Sequence, residues 1–150
     1  MKLVLYETKY EQDFLSLKVQ KESEKFIESQ KDTLKAYHEM AYDIAWKIYL
    51  FQLENEFVGY LMVGLNSMGD LFLDRFLMDN RYEKKGYGRL FFKLFKDTIS
   101  SDYPGVADLF LSVNVKNERA IRFYEQQGFV KTNYLDGNDP IYQFKIKKCV

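Results

Sequence analysis

Gly86 and Gly88 flank Tyr87 in Lys84-Lys85-Gly86-Tyr87-Gly88-Arg89, between an apolar stretch, Leu71–Met78, and a segment of helical periodicity. Glycine reaches backbone angles closed to other residues and lets a ligand come close to the main chain. A helix that begins directly after such a loop offers unsatisfied N–H groups and the positive end of its dipole. The natural occupant is an anion such as a pyrophosphate, and Lys84, Lys85 and Arg89 add positive charge around it. The loop has neither the Gly-x-x-x-x-Gly-Lys-Ser/Thr of a P-loop nor the third glycine of a dinucleotide fingerprint. By itself it reads equally well as an ordinary helix start with a solvated basic face.

A second constellation lies about thirty residues on, in Asn117-Glu-Arg-Ala-Ile-Arg-Phe-Tyr-Glu-Gln-Gln-Gly-Phe129. Helical spacing puts Ala120, Tyr124 and Gln127 on one face, and Asn117 stands where its side chain can cap the helix. A phenol in that position either donates a proton or fills the core. Glu24/Glu28 and Glu39/Asp43 are carboxylate pairs at i, i+4 in the N-terminal third. They could wall a cationic ligand, but a solvated helix face is the simpler reading. His38 is the one histidine and Cys149 the one cysteine, so neither a metal site nor an internal disulfide is expected.

The elements that must hold these residues follow from periodicity. Lys2–Tyr6 alternates weakly and reads as a strand; residues 11–42, without Gly or Pro, read as two or three short helices. Trp46–Leu53 and Phe57–Val63 form a hairpin across Glu54-Asn55-Glu56, and Asn66–Asp70 is a turn. Leu71–Met78 is a third strand. Tyr87–Ile99 is a helix with Tyr87, Leu90, Phe91, Leu94, Phe95 and Thr98 on one apolar face, stopped by Asp102-Tyr-Pro-Gly105. Leu109–Val115 is a strand, and Asn117–Gln127 a helix ended by Gly128. Phe129–Thr132 and Ile141–Ile146 pair around Asp136-Gly137-Asn138. This order predicts an α/β protein, one mixed sheet with helices packed on it, in a single domain spanning residues 1–150.

Bulk properties narrow the class. The 22 basic and 22 acidic side chains balance, so no nucleic-acid footprint is present. The local cluster of Arg81, Lys84, Lys85 and Arg89 suits one multiply charged phosphate ligand instead. No apolar run approaches a membrane span, and the first ten residues have no signal-peptide pattern. A soluble, cytoplasmic protein is the expectation.

Asn-x-x-Ala-x-x-x-Tyr-x-x-x-Gly-Phe after a strand resembles the second cofactor motif of the GNAT N-acetyltransferases. The glycine loop resembles their Gln/Arg-x-x-Gly-x-Gly/Ala motif, with Glu83 where Gln or Arg is usual. The resemblance implies the GNAT fold, a central and mostly antiparallel mixed sheet flanked by helices. It also implies acetyl-CoA as co-substrate, no metal, and a small amine as acceptor; it allows a homodimer. The loop Lys84–Arg89 and Asn117 would hold the coenzyme. The strand before the loop would splay from its neighbour, so that main-chain groups of Phe76, Leu77 and Met78 bind the pantetheine arm and the thioester. Tyr124 resembles the family's general acid. For the base, Phe72 stands where a family carboxylate is often found, and Asp74 follows two residues on. Strand alternation would put Asp74 on one face with Phe72, Phe76 and Met78, and Arg75 on the other. There Asp74 accepts the amine proton or holds the cation; equally, it is a solvated strand-edge carboxylate. Glu83 is expected to turn outward to Lys84 or Arg81. Phe26–Ala36, Phe57-Val-Gly-Tyr60 and Asp74–Asp79 resemble the spermine/spermidine acetyltransferase branch. Another amine (a protein N-terminus, a lysine, an aminoglycoside) and a non-catalytic CoA-binding module remain open, though Tyr124 argues for catalysis.

Overall fold

The computed structural model describes residues 1–19, 26 and 29–146, so the Glu24/Glu28 pair and Cys149 lie outside the described residues. In chain order the elements are β1 (Lys2–Leu5), α1 (Glu11–Leu15), α2 (Gln30–His38), β2 (Lys47–Leu53), β3 (Glu56–Leu65), β4 (Leu71–Met78), α3 (Tyr87–Asp102), β5 (Asp108–Ser112), α4 (Glu118–Gln126), β6 (Val130–Asp136) and β7 (Asp139–Lys145). They build a seven-stranded sheet in the order β1-β2-β3-β4-β5-β7-β6. Only β4 and β5 run parallel; every other neighbouring pair is antiparallel. A parallel pair needs a crossover, and α3 supplies it.

Alternation along the strands feeds two cores, one on each face. On β2, Tyr49 and Phe51 enter the core under α3 and α4, while Ile48 and Leu50 enter the one under α1 and α2. Caps fix the helix starts: the side chain of Ser29 accepts the Asp32 N–H at α2, and that of Asn117 accepts the Ala120 N–H at α4. Asn66 sets the β3–β4 turn by accepting the N–H groups of Met68 and Asp70, both at 3.0 Å.

Two expected features differ. The buried face of α3 is Phe91, Phe92, Phe95 and Ile99, whereas Leu90 is 45% exposed. Phe92 decides this, because its ring meets Phe76, Phe95, Phe123, Tyr124 and Phe129, which rotates the apolar arc by one position. Strand β5 also stops at Ser112 rather than Val115. The Val113 N–H still reaches the Pro140 carbonyl, but the chain then turns, with Asn114 accepting the Lys116 N–H.

Candidate active site

The parallel pair at the centre of the sheet is barely paired. β4 meets β5 only at Leu71–Leu109 and Phe72–Phe110; beyond Phe72 the two strands part, while β4 stays with β3 as far as Met78. Main-chain groups in the second half of β4 therefore face an opening instead of a partner strand. A cleft of about 730 Å³ fills that opening.

A bulge sits at the point of parting. The β3–β4 register runs Met62–Arg75 and then Val63–Leu73, leaving Asp74 as the extra residue. A bulge reverses the facing of side chains beyond it, which corrects the expectation for Asp74. Phe72 stacks on Phe110 at 5.7 Å on one face, while Phe76 packs on Phe92 and Phe123 at 5.5 and 5.3 Å on the other, alongside Met78. Asp74 and Arg75, expected on opposite faces, form an ion pair at 3.0 Å.

The next wall is the start of α3. Gly86 adopts φ +81° as its N-cap residue, and no side chain caps the helix. The first N–H groups of this sixteen-residue helix thus receive no cap from the N-cap residue, a glycine with no side chain to accept them. A Cβ at Gly88 would lie 3.5 Å from Met78 Cγ and 3.8 Å from Phe123 Cε1, filling the floor of the cleft. Lys84 and Arg89 stand on its rim.

The third wall is α4, which contributes Asn117 and Tyr124. Tyr124 makes edge contacts with Phe92 at 6.1 Å and Phe129 at 5.6 Å. Burial, with no charged neighbour contributing, pushes its phenol well above the ordinary tyrosine value, so it keeps its proton across the physiological range. An open backbone strand, an uncapped helix start with a bare glycine floor, and a protonated phenol thus border one cleft.

The profile of the acetyltransferase (GNAT) family matches residues 12–129. The chain belongs to the GNAT family. It is 33% identical over 131 residues to a spermine/spermidine N(1)-acetyltransferase of Bacillus subtilis, covering 83% of this chain and 84% of that one. A spermidine N-acetyltransferase from Vibrio cholerae, in complex with CoA and spermine, has a TM-score of 0.71 at 16% identity over 97% of this chain and 95% of its own. The ribosomal-protein-S18-alanine N-acetyltransferase from Escherichia coli has a TM-score of 0.72 at 18% identity over 99% and 96%. Those two likenesses are of fold. Family membership and the curated relative make this GNAT protein an acetyl-CoA-dependent N-acetyltransferase.

β4 brings Asp74, Phe76, Leu77 and Met78 to the cleft; the loop and α3 bring Lys84, Gly86, Gly88 and Arg89. Lys85 and Tyr87 do not line it: Lys85 lies over the Tyr82 ring at 5.9 Å, and Tyr87 packs on the same ring at 6.3 Å. Arg81 also leaves the basic cluster, because Asp79 holds its Nε at 2.9 Å.

Glu83 turns the other way from the expectation. It faces Arg119 of α4, with Nη2 to Oε2 at 3.4 Å, instead of Lys84 or Arg81. Its side chain is only 11% exposed, so the carboxylate that departs from the family pattern is neutralised within the cleft wall. Arg119 lies inside the second motif, which was its only sequence signal.

The residue that sequence reasoning undervalued most is Asp79. It is fully buried and accepts the N–H groups of Lys18 and Arg81, both at 3.0 Å, besides the Arg81 side chain. Burial alone would raise its carboxyl. The hydrogen bonds from Arg81 and from the Arg81 and Lys18 N–H groups outweigh that and hold it below the usual carboxylate value. Asp79 thereby fastens the end of β4 to the chain after α1. Among the described residues no cluster of His, Cys, Asp or Glu could hold a metal ion.

Proposed function

We propose that this GNAT enzyme acetylates a primary amine of a polyamine-class acceptor, such as spermine or spermidine, with Tyr124 as proton donor. The observation that carries this reading is the β4–β5 opening, a cleft whose lining includes both the bulge carboxylate Asp74 and the Tyr124 phenol. Family and fold relatives that act on spermine and spermidine support the acceptor class.

Acetyl-CoA supplies an activated acyl group on a thioester. The residues present suit it: the α3 start and Gly88 floor for the pyrophosphate, and the free main chain of Phe76, Leu77 and Met78 for the pantetheine arm and thioester oxygen. An alkylammonium costs about 5 kcal/mol to deprotonate at neutral pH. Asp74 holds that cation at the bulge and takes its proton, directly or through water. The amine nitrogen then attacks the acyl carbon, the C–S bond breaks, and the sulfur receives the Tyr124 proton. Burial also disfavours a tyrosinate, so the phenol must be reprotonated as it gives up its proton, by the proton released from the amine. The products are an N-acetyl amine and CoA thiol.

Thiol release, measured with spermine, spermidine, a peptide N-terminus, free lysine and an aminoglycoside, tests the acceptor class. Turnover of the two polyamines well above the others is expected. No turnover of either would overturn the polyamine reading.

A further inference from the structure

A second depression, of about 330 Å³, lies beside α2 and shares Asp74 and Arg75 with the cleft. Its size falls within the range of small-molecule sites. The inner wall is the buried ring of Trp46, and the outer edge carries Tyr42, Asp32 and Glu39. Lys35 and Arg75 are the cations facing it. Arg75 is ion-paired with Asp74, so the carboxylates of Asp32 and Glu39 outweigh the one remaining ammonium, Lys35.

The turn that forms the outer edge is strained. Met40, Tyr42 and Asp43 have φ of +50°, +62° and +58°, a left-handed conformation unfavourable for residues with a Cβ. Trp46 pins the turn by donating from Nε1 to the Ala41 carbonyl at 3.0 Å. Packing does not repay the strain at Tyr42, whose side chain is 90% exposed. Strain of this kind, kept under an exposed side chain, points to a ligand-facing role for Tyr42.

We propose that this depression is the subsite for a second ammonium of the acceptor, held between the Tyr42 and Trp46 rings and the Glu39 carboxylate, so that Tyr42 sets the preference for polyamines over monoamines. A cation over an aromatic face near a carboxylate is recognised by both the ring quadrupole and the opposite charge. The shared wall at Asp74–Arg75 lets one extended molecule present one nitrogen to the cleft and another to this subsite. The proposal rests on the polyamine reading and names the residues that would select the substrate.

Steady-state kinetics with spermidine and with butylamine separates the two claims. Tyr42→Ala should raise KM for spermidine about tenfold, with kcat within about twofold and butylamine kinetics unchanged; Tyr42→Phe, which keeps the ring, should behave as wild type. Glu39→Gln should shift the same ratio in the same direction. Spermidine turnover by the wild type with a spermidine-to-butylamine ratio that Tyr42→Ala and Glu39→Gln leave unchanged would overturn the subsite alone. A wild type that acetylates neither polyamine overturns the functional reading and this subsite together. Tyr42 is a surface residue, so folding of its variants is checked by an unchanged thermal transition.

Discussion

The two faces of the central sheet are built on different terms. Under α3 and α4 the core is dense and aromatic, with Phe51, Phe91, Phe92, Phe95 and Phe129 buried in it. The face under α1 and α2 is also well packed at its centre, through Phe14, Leu34, Tyr60 and Leu77, but its rim is a strained turn with an exposed tyrosine. In the proposed function the coenzyme lies against this densely packed side. The proposed acceptor side is carried instead by loop geometry and surface charge. Bulge residue Asp74 lines both the cleft and the depression beside α2, next to the point where β4 parts from β5.

The sharpest way to break this contrast is at Tyr124. Replacing it with Phe should lower kcat by about 10²- to 10³-fold and leave the acetyl-CoA KM within about twofold, because only the proton is removed. An unchanged kcat would move the donor role elsewhere. Since burial raises this phenol, the alkaline limb of kcat in the wild type should not show a step near pH 10, the ordinary tyrosine value.

Asp79 tests whether the end of β4 depends on a buried lock. Asp79→Asn should destabilise the protein by about 1.5–3 kcal/mol at neutral pH, read by denaturant unfolding. The folded-state value is lowered, so this stabilisation is present above the ordinary carboxylate range and lost as pH falls through the folded value. The difference between wild type and variant should therefore shrink in acid; a gap that stayed constant to pH 2 would remove Asp79 as its source.

The glycine loop separates conformation from space. Gly86→Ala must hold a Cβ at φ +81° in an otherwise open position and should lose about 1–2 kcal/mol of stability. Gly88→Ala has ordinary contacts at 3.5–3.9 Å, so it should fold as wild type yet bind acetyl-CoA several-fold more weakly, measured by titration. Equal effects of both substitutions on stability would mean that the loop is not divided in this way. The smallest effect is expected at the strained rim. Tyr42→Asn, a residue that tolerates the left-handed region, should raise stability by a few tenths of a kcal/mol while losing polyamine selectivity.

Local order was legible from the chain. Leu71–Met78 is a strand over its expected span, Tyr87 begins its helix, Asn117 caps its own, and Gly128 at φ +99° ends it. These features depend on near neighbours: alternation, capping oxygens and glycine angles all act within a few residues. The two motifs around Gly86 and Asn117 were legible for the same reason, and they carried the family. Tertiary contacts decided the rest. The bulge at Asp74 comes from pairing with β3, so alternation within β4 could not reveal that Phe72 and Phe76 face opposite ways. The rotation of α3 was set by rings from β4 and α4, the partner of Glu83 by the approach of α4, and the buried state of Asp79 by the chain after α1. Spacing in one chain reports what each residue does to its neighbours; the geometry of the site depends on which distant strand or helix packs against it.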